Sequence, residues 1–216
     1  DRLDPGTSGW VTSRNFPLTE PFGTEVRLNY GYPEEVPSPA PAIPAQQSKY
    51  IRDYIQAFED AVVQTNRINP ATGLHYTDYI DRDSWVDHGL LNILAQNADC
   101  FRLSTYMHKP RNGKLFAGPI WDFDRTIGST DSRSTNPTGW SATQPATDIL
   151  TWGWWKYLWT EPDFWQRYTD RWFALRDSTL TTASLTGLAA SSKLNINPTA
   201  GNNGVVNYTS SATSTL

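Results

Sequence analysis

Three aspartates stand where chemistry is most readily built. Asp122 and Asp124 lie in "GPIWDFDRTIG" (118–128), one residue apart, after an apolar run and before a glycine. Asp99 lies upstream, in "NADC". Carboxylate oxygens are hard ligands that suit magnesium, which keeps several of its waters and needs only one or two protein carboxylates. A positioned carboxylate can also accept the proton of an attacking hydroxyl, or attack phosphorus itself. The stretch therefore admits three readings: a metal site for nucleotide phosphates, an aspartyl nucleophile, or a polar turn that closes a strand.

The elements around these acids decide whether they can meet. "FRLSTYMHK" and "GKLFAGPIW" flank "PRNG". Apolar runs on both sides of an Asn-Gly turn predict a β-hairpin. Asp99 precedes the first strand and Asp122 follows the second. A tight hairpin returns the chain to where it started, so the two acids are expected to be neighbours in space.

Helical periodicity accounts for most of the rest. Tyr50, Ile51, Tyr54, Ile55, Phe58 and Val62 recur at three and four and predict a helix from about 46 to 64. A second helix is expected over about 83–96, with Trp85, Val86, Leu90, Ile93 and Leu94 on its apolar face and Asp83 or Ser84 as N-cap. Two Trp-rich helices are expected over about 149–160 and 162–177, with Pro162 in a first turn. Residues 1–36 hold short apolar segments, "GWVTS" and "TEVRLNYGY", that read as strands or extended chain. "PSPAPAIPA" (37–45) is a stiff proline-rich connector, and 129–148 a long polar loop. From Ser178 the chain is rich in Ser, Thr, Ala and Asn, and its last twenty or so residues lack the apolar density of an ordered core. "NYT" at Asn207 fits a glycosylation triplet that chance also supplies often. The expected fold is α+β: a mainly helical body around one short hairpin that carries the acidic site.

Composition removes several function classes. A net charge of −4 gives no electrostatic case for nucleic acid or an anionic membrane, and no apolar run is long enough to span a bilayer. Cys100 is the single cysteine, so neither an intrachain disulfide nor a cysteine zinc cluster can form. His75, His88 and His108 lack metal-ligand spacing and read as structural or solvated. Ten tryptophans could stack on sugars, but Trp155 with Trp159, and Trp165 with Trp172, fall at helical spacing and suit a core better. The chain opens at Asp1 without methionine and reads as a mature or truncated piece.

Phosphoryl transfer is the chemistry that best uses a hairpin with an acid at each end. It requires a carboxylate to orient the attacking hydroxyl and others to hold magnesium against the phosphates. "DFDRT" (122–126) also satisfies the Asp-x-Asp-x-Thr pattern of haloacid dehalogenase-like phosphohydrolases, with Asp122 as nucleophile. That superfamily needs a parallel sheet built from strand–helix repeats, and no such alternation follows Thr126.

The run from 79 to 128, "YIDRDSWVDHGLLNILAQNADCFRLSTYMHKPRNGKLFAGPIWDFDRTIG", resembles the CotH kinase family, the spore-coat-protein-H-like atypical protein kinases. The carriers are Asn-x-Asp at 97–99, the Tyr-containing hairpin with Gly-Lys-Leu, and Pro-x-Trp-Asp-x-Asp at 119–124. "QQSKYIRDYIQAFEDAV" (46–62) and "WWKYLWTEPDFWQRYTDRWFALR" (154–176) look like the family's helical segments. The resemblance spans roughly 10–180 and implies an atypical protein-kinase-like large lobe over 46–180. Before it, 1–45 would be the end of the small lobe and an extended connector; after it, 181–216 a low-complexity flexible tail. It implies Asp99 as the catalytic-loop aspartate, Asp122 as the magnesium-holding aspartate and Asp124 as the second acid of that motif. Ser104 stands where ordinary kinases place an asparagine for the second metal, and its hydroxyl is a weaker ligand.

The implied cofactors are ATP and Mg2+. The implied partner is a protein acceptor, Ser or Thr of a coat or surface protein, in a bacterial extracytoplasmic or secreted setting. AMP transfer would use the same metal–carboxylate geometry. The phosphate-contacting lysine and small-lobe sheet are expected N-terminal to this sequence, so a fragment without them would grip the nucleotide incompletely. The bland alternative is a catalytically dead domain that binds a coat or wall partner.

Overall fold

Apolar side chains at helical spacing build the first large element, α1 (Ala45–Val62). Ile51, Ile55, Phe58, Ala61 and Val62 on it are buried, as the sequence periodicity predicts. The computed structural model describes residues 2–5, 16–17, 27–32, 45–97, 99–101, 105–128, 134–135 and 153–191. The chain divides into two compact units, Asp1–Thr169 and Asp170–Leu216.

In the first unit, α1 is followed by the single helical turn α2 (Tyr76–Tyr79) and by α3 (Arg82–Leu94). Asp81, not Asp83 or Ser84, caps α3. Its backbone is extended and donates to Leu115 O, and its carboxylate accepts from the Ser84 amide at 2.9 Å. The buried face of α3 agrees with expectation at Trp85, Val86 and Leu90 and differs at Leu94. Trp85, Val86, His88, Gly89, Leu90 and Asn92 are buried, whereas Leu91 and Leu94 are about two-fifths exposed. The cause is what packs there: Trp155 and Trp159 lie so close that a Cβ on Gly89 would meet Trp159 Cη2 at 3.2 Å.

Five strands form an antiparallel sheet: β1 (Arg2–Pro5), β2 (Phe16–Pro17), β3 (Arg27–Tyr32), β4 (Met107–His108) and β5 (Phe116–Ala117), in spatial order β2-β3-β1-β4-β5. The hairpin is present, with Met107 opposite Ala117 and His108 opposite Phe116. Asn112 takes the positive φ of 57° that its Asn-Gly turn requires. Its paired arms are only two residues long, and β4 also pairs with β1. The expected isolated hairpin is thus the edge of a larger sheet. Every pairing between the described strands is antiparallel, which is not the parallel sheet that the aspartyl-nucleophile reading needs.

The core is aromatic. Phe58, Trp85, Trp154, Trp155, Trp159, Phe164 and Tyr168 form a continuous chain of ring contacts. They come from α1, α3, α4 (Trp155–Leu158) and the start of α5 (Pro162–Arg176). This fits the reading of Trp155 and Trp159 as core rather than sugar platform; Trp165 and Trp172 are only half-buried. Arg67 closes the end of α1. Its guanidinium donates to Val62 O, Gln64 O and Tyr157 O and pairs with Glu161 at 3.0 Å.

In the second unit, α6 (Thr182–Ser191) follows the C-terminal part of α5. Composition suggested flexible tail from 181, but Thr181 caps this helix through its hydroxyl, which accepts from the Ser184 amide. Several expectations lie outside the described residues: "GWVTS", most of the proline-rich connector, nearly all of the 129–148 loop, Ser104, Asn207 and the chain after 191.

Candidate active site

The helix α3, about 20 Å long at 1.5 Å per residue, acts as a ruler for the hairpin's return arm. At its N-terminal end, Trp85 Nε1 donates to Leu115 O at 3.0 Å and Ser84 Oγ accepts from the Ala117 amide. Just past its C-terminal end, the Ile127 amide donates to Ala95 O at 3.0 Å. The segment 115–127 is therefore tied along α3 at both ends, and its acids arrive beside the turn that leaves the helix. Asp99 sits in that turn.

A direct ion pair joins the two stretches. Arg125 Nη1 donates to Asp99 Oδ2 at 2.7 Å. Asp99's side chain is 13% exposed, so its carboxylate is largely removed from water yet reachable. Asp122 and Asp124 are exposed and close together. The Asp122 carboxylate, hydrogen-bonded to Asp124, holds the Asp124 carboxyl above the usual carboxylate range; partial desolvation and the charge of Asp122 add to this, and Arg125 opposes it. Two exposed carboxylates this close together suit a hard divalent ion. Among the described residues no group of three or more His, Cys, Asp or Glu converges on a metal position, so a magnesium ion here would keep waters or take phosphate oxygens. The pair fits that ion.

The backbone at this corner is unusual. Gln96, Phe101, Asp122 and Ile127 all take positive φ, at 51°, 65°, 62° and 50°. Non-glycine residues hold such angles only where the surroundings over-determine them, and they cluster at functional sites. The over-determination is visible. Asn97 Oδ1 accepts from the Asp99 amide, Thr105 Oγ1 accepts from the Phe101 amide, and Thr126 Oγ1 donates to Phe123 O. Helix α3 also points its C-terminal end, with its partial negative charge, at the corner. That raises its affinity for cations.

Turn chemistry led to the expectation that Asp99 and the Asp122–Asp124 pair are neighbours; the contact that joins their two stretches is Arg125 to Asp99. The pairing of Arg125 with Asp99 was not foreseen. Nor were Asn92 and His88, which the helical pattern hid by their polar types. Asn97 carried a signal, since asparagine two residues before an amide readily closes an Asx turn. Cys100, beside Asp99, is buried, and burial pushes its thiol well up, so it is not a nucleophile. A surface cleft of about 210 Å³, lined by Asp81, Arg82, Asp83, Lys114 and Arg167 among others, lies at the opposite end of α3. Its cations are committed: Arg82 to Asp163, Arg167 to Asp83, Lys114 to Thr77 O.

Fold and site thus define an α+β protein with an exposed carboxylate pair and a clamped third carboxylate at the end of a central helix. The chain belongs to the CotH kinase protein family, whose model matches residues 23–215. No curated protein and no solved structure matches it. Among the described residues no helix is long and apolar enough to cross a membrane.

Proposed function

We propose that this protein is an atypical protein kinase that transfers phosphate from ATP to a Ser or Thr hydroxyl of a coat or surface protein. Residues 46–180 form its large lobe, with 1–45 as the end of the small lobe and its connector. Asp99 accepts the proton of the attacking hydroxyl. Asp122 and Asp124 hold magnesium, with Ser104 as a further ligand. Bound there, magnesium would neutralise phosphate charge. The setting is bacterial and extracytoplasmic, at a spore or cell surface.

One observation carries this reading: the ion pair from Arg125 to Asp99 keeps the proposed proton acceptor within a few bonds of the proposed cation holders. Preorganised charge of this kind is worth roughly 3–4 kcal/mol of barrier lowering when a single member is removed. The test is radiolabel transfer from ATP by the protein with its complete small lobe, with Asp99→Ala and Asp122→Ala as controls. Transfer that survives both substitutions ends the assignment.

The same ion pair favours a second reading, a catalytically dead binding domain in which Arg125 permanently occupies the acceptor carboxylate. That reading expects no transfer from the unsubstituted protein and a gain of transfer in Arg125→Gln.

A further inference from the structure

Behind Asp99 runs a line of buried amide side chains. Asn92 and Asn97 are each 2% exposed, and His88, one turn before Asn92, is 4% exposed. Asn97 Nδ2 donates to Asn92 Oδ1 at 3.0 Å, and Asn97 Oδ1 accepts from the Asp99 amide at 3.2 Å. The Asn97 amide donates to Asn92 O at 2.9 Å. Asn92 Nδ2 donates to His88 O at 2.9 Å and faces His88 Nδ1 at 3.3 Å. The His88 ring lies against Trp155, stacked with centroids 6.0 Å apart, and against Phe101 at 5.8 Å. Phe101 in turn stacks on Trp155 at 4.0 Å.

Two amides at core positions are costly unless every donor and acceptor is used, and hydrophobic residues would fill the same volume without that demand. Here their polar atoms form one directed path. It begins at a helix backbone carbonyl and ends on the backbone amide of Asp99. Gln96 and Phe101, on either side of that turn, hold positive φ. An apolar pair in place of the two asparagines would leave the turn to relax toward ordinary angles.

We propose that Asn92 and Asn97 are positioning residues: their buried relay, anchored on His88 and the Trp155–Phe101 stack, sets the turn that presents Asp99. Neither touches the reacting atoms. The consequence for phosphate transfer rests on the kinase reading above; the consequence for the Asp99 turn does not.

The experiment uses Asn92→Leu, Asn97→Ala and the double variant, with Asn97→Ser as a milder change that still offers an oxygen to the Asp99 amide. Leu158→Ala, in the buried core away from the corner, controls for lost stability. Hydrogen exchange at the Asp99 amide should quicken at least about tenfold in Asn97→Ala and Asn92→Leu at temperatures where all variants are folded, and less in Asn97→Ser. In the control it should not change. Transfer should fall roughly 100-fold in kcat, the scale of a slightly misplaced group, with KM for ATP unchanged because Asp99 does not hold the nucleotide. Residues that act as one unit lose their effect together, so the double variant should be no worse than the worse single one. Unchanged exchange at Asp99 in Asn97→Ala and Asn97→Ser overturns the relay. If the unsubstituted protein shows no transfer sensitive to Asp99→Ala, the kinase reading fails, and the exchange measurement still decides the relay.

Discussion

Acidification should unfold this protein through one histidine. His88 is buried against Trp155 and Phe101, and burial lowers its pKa from the ordinary 6.5 to about 4. The neutral ring suits its surroundings, because Nδ1 faces the Asn92 amide donor. Between about pH 4 and 6.5 the unfolded chain binds a proton that the folded chain refuses. The stability from the neutral ring is therefore full above about pH 6.5 and lost as pH falls toward 4. At one pKa unit per 1.4 kcal/mol, the shift predicts a loss of about 2 kcal/mol at pH 5 and about 3 kcal/mol at pH 4. That is a large part of the total stability of a domain this size. Urea unfolding over a pH series measures it, with His88→Phe as the comparison, since phenylalanine keeps the ring packing and cannot titrate. Carboxylates contribute a common background, so the informative quantity is the difference between the two pH curves. Relative to the variant, the protein should lose stability as pH falls below about 6. Parallel curves down to about pH 4 would refute the burial argument and place His88 in contact with water or with an acid.

Other perturbations test the corner and the frame. In Asp122→Asn the Asp124 carboxyl should titrate lower than in the unsubstituted protein, because the hydrogen-bonded anion that raises it is gone; carboxyl NMR resonances followed against pH report this, and an unmoved Asp124 would show that the two acids do not interact. Magnesium added to the unsubstituted protein should shift the same Asp124 resonance and should not do so in Asp122→Asn. Arg67→Met should cost about 3 kcal/mol in denaturant unfolding, because Glu161 and three backbone carbonyls lose their mostly buried partner. Gly89→Leu should cost about 1–3 kcal/mol by forcing Trp159 off its seat, although leucine is the better helix former.

What could be read from the sequence was what local chemistry decides. The spacing of Ile51, Ile55 and Phe58 specified the buried face of α1, and the Asn-Gly turn specified the hairpin, because both depend on neighbours a few residues away. The register of α3 was only partly legible, although its buried stripe has ordinary helical spacing. Trp85, His88 or Gly89, and Asn92 fall at i, i+3 or i+4, and i+7, yet only the first looks apolar. The other three are buried for reasons that come from far along the chain. Gly89 makes room for Trp159, His88 lies on Trp155, and Asn92 completes a path to the Asp99 turn. The apolar pattern put Ile93 and Leu94 on the buried face, but Leu94 faces outward and Ile93 is only half-buried once the tryptophans fix the helix's rotation. The acids show the same division. Their expected nearness followed from turn geometry, whereas the choice of Arg125's partner depended on which carboxylate the ruler helix brought into reach. Residues that break the apolar pattern of a buried face are where the sequence is least legible, and here they converge on the aspartate that the proposed chemistry depends on most.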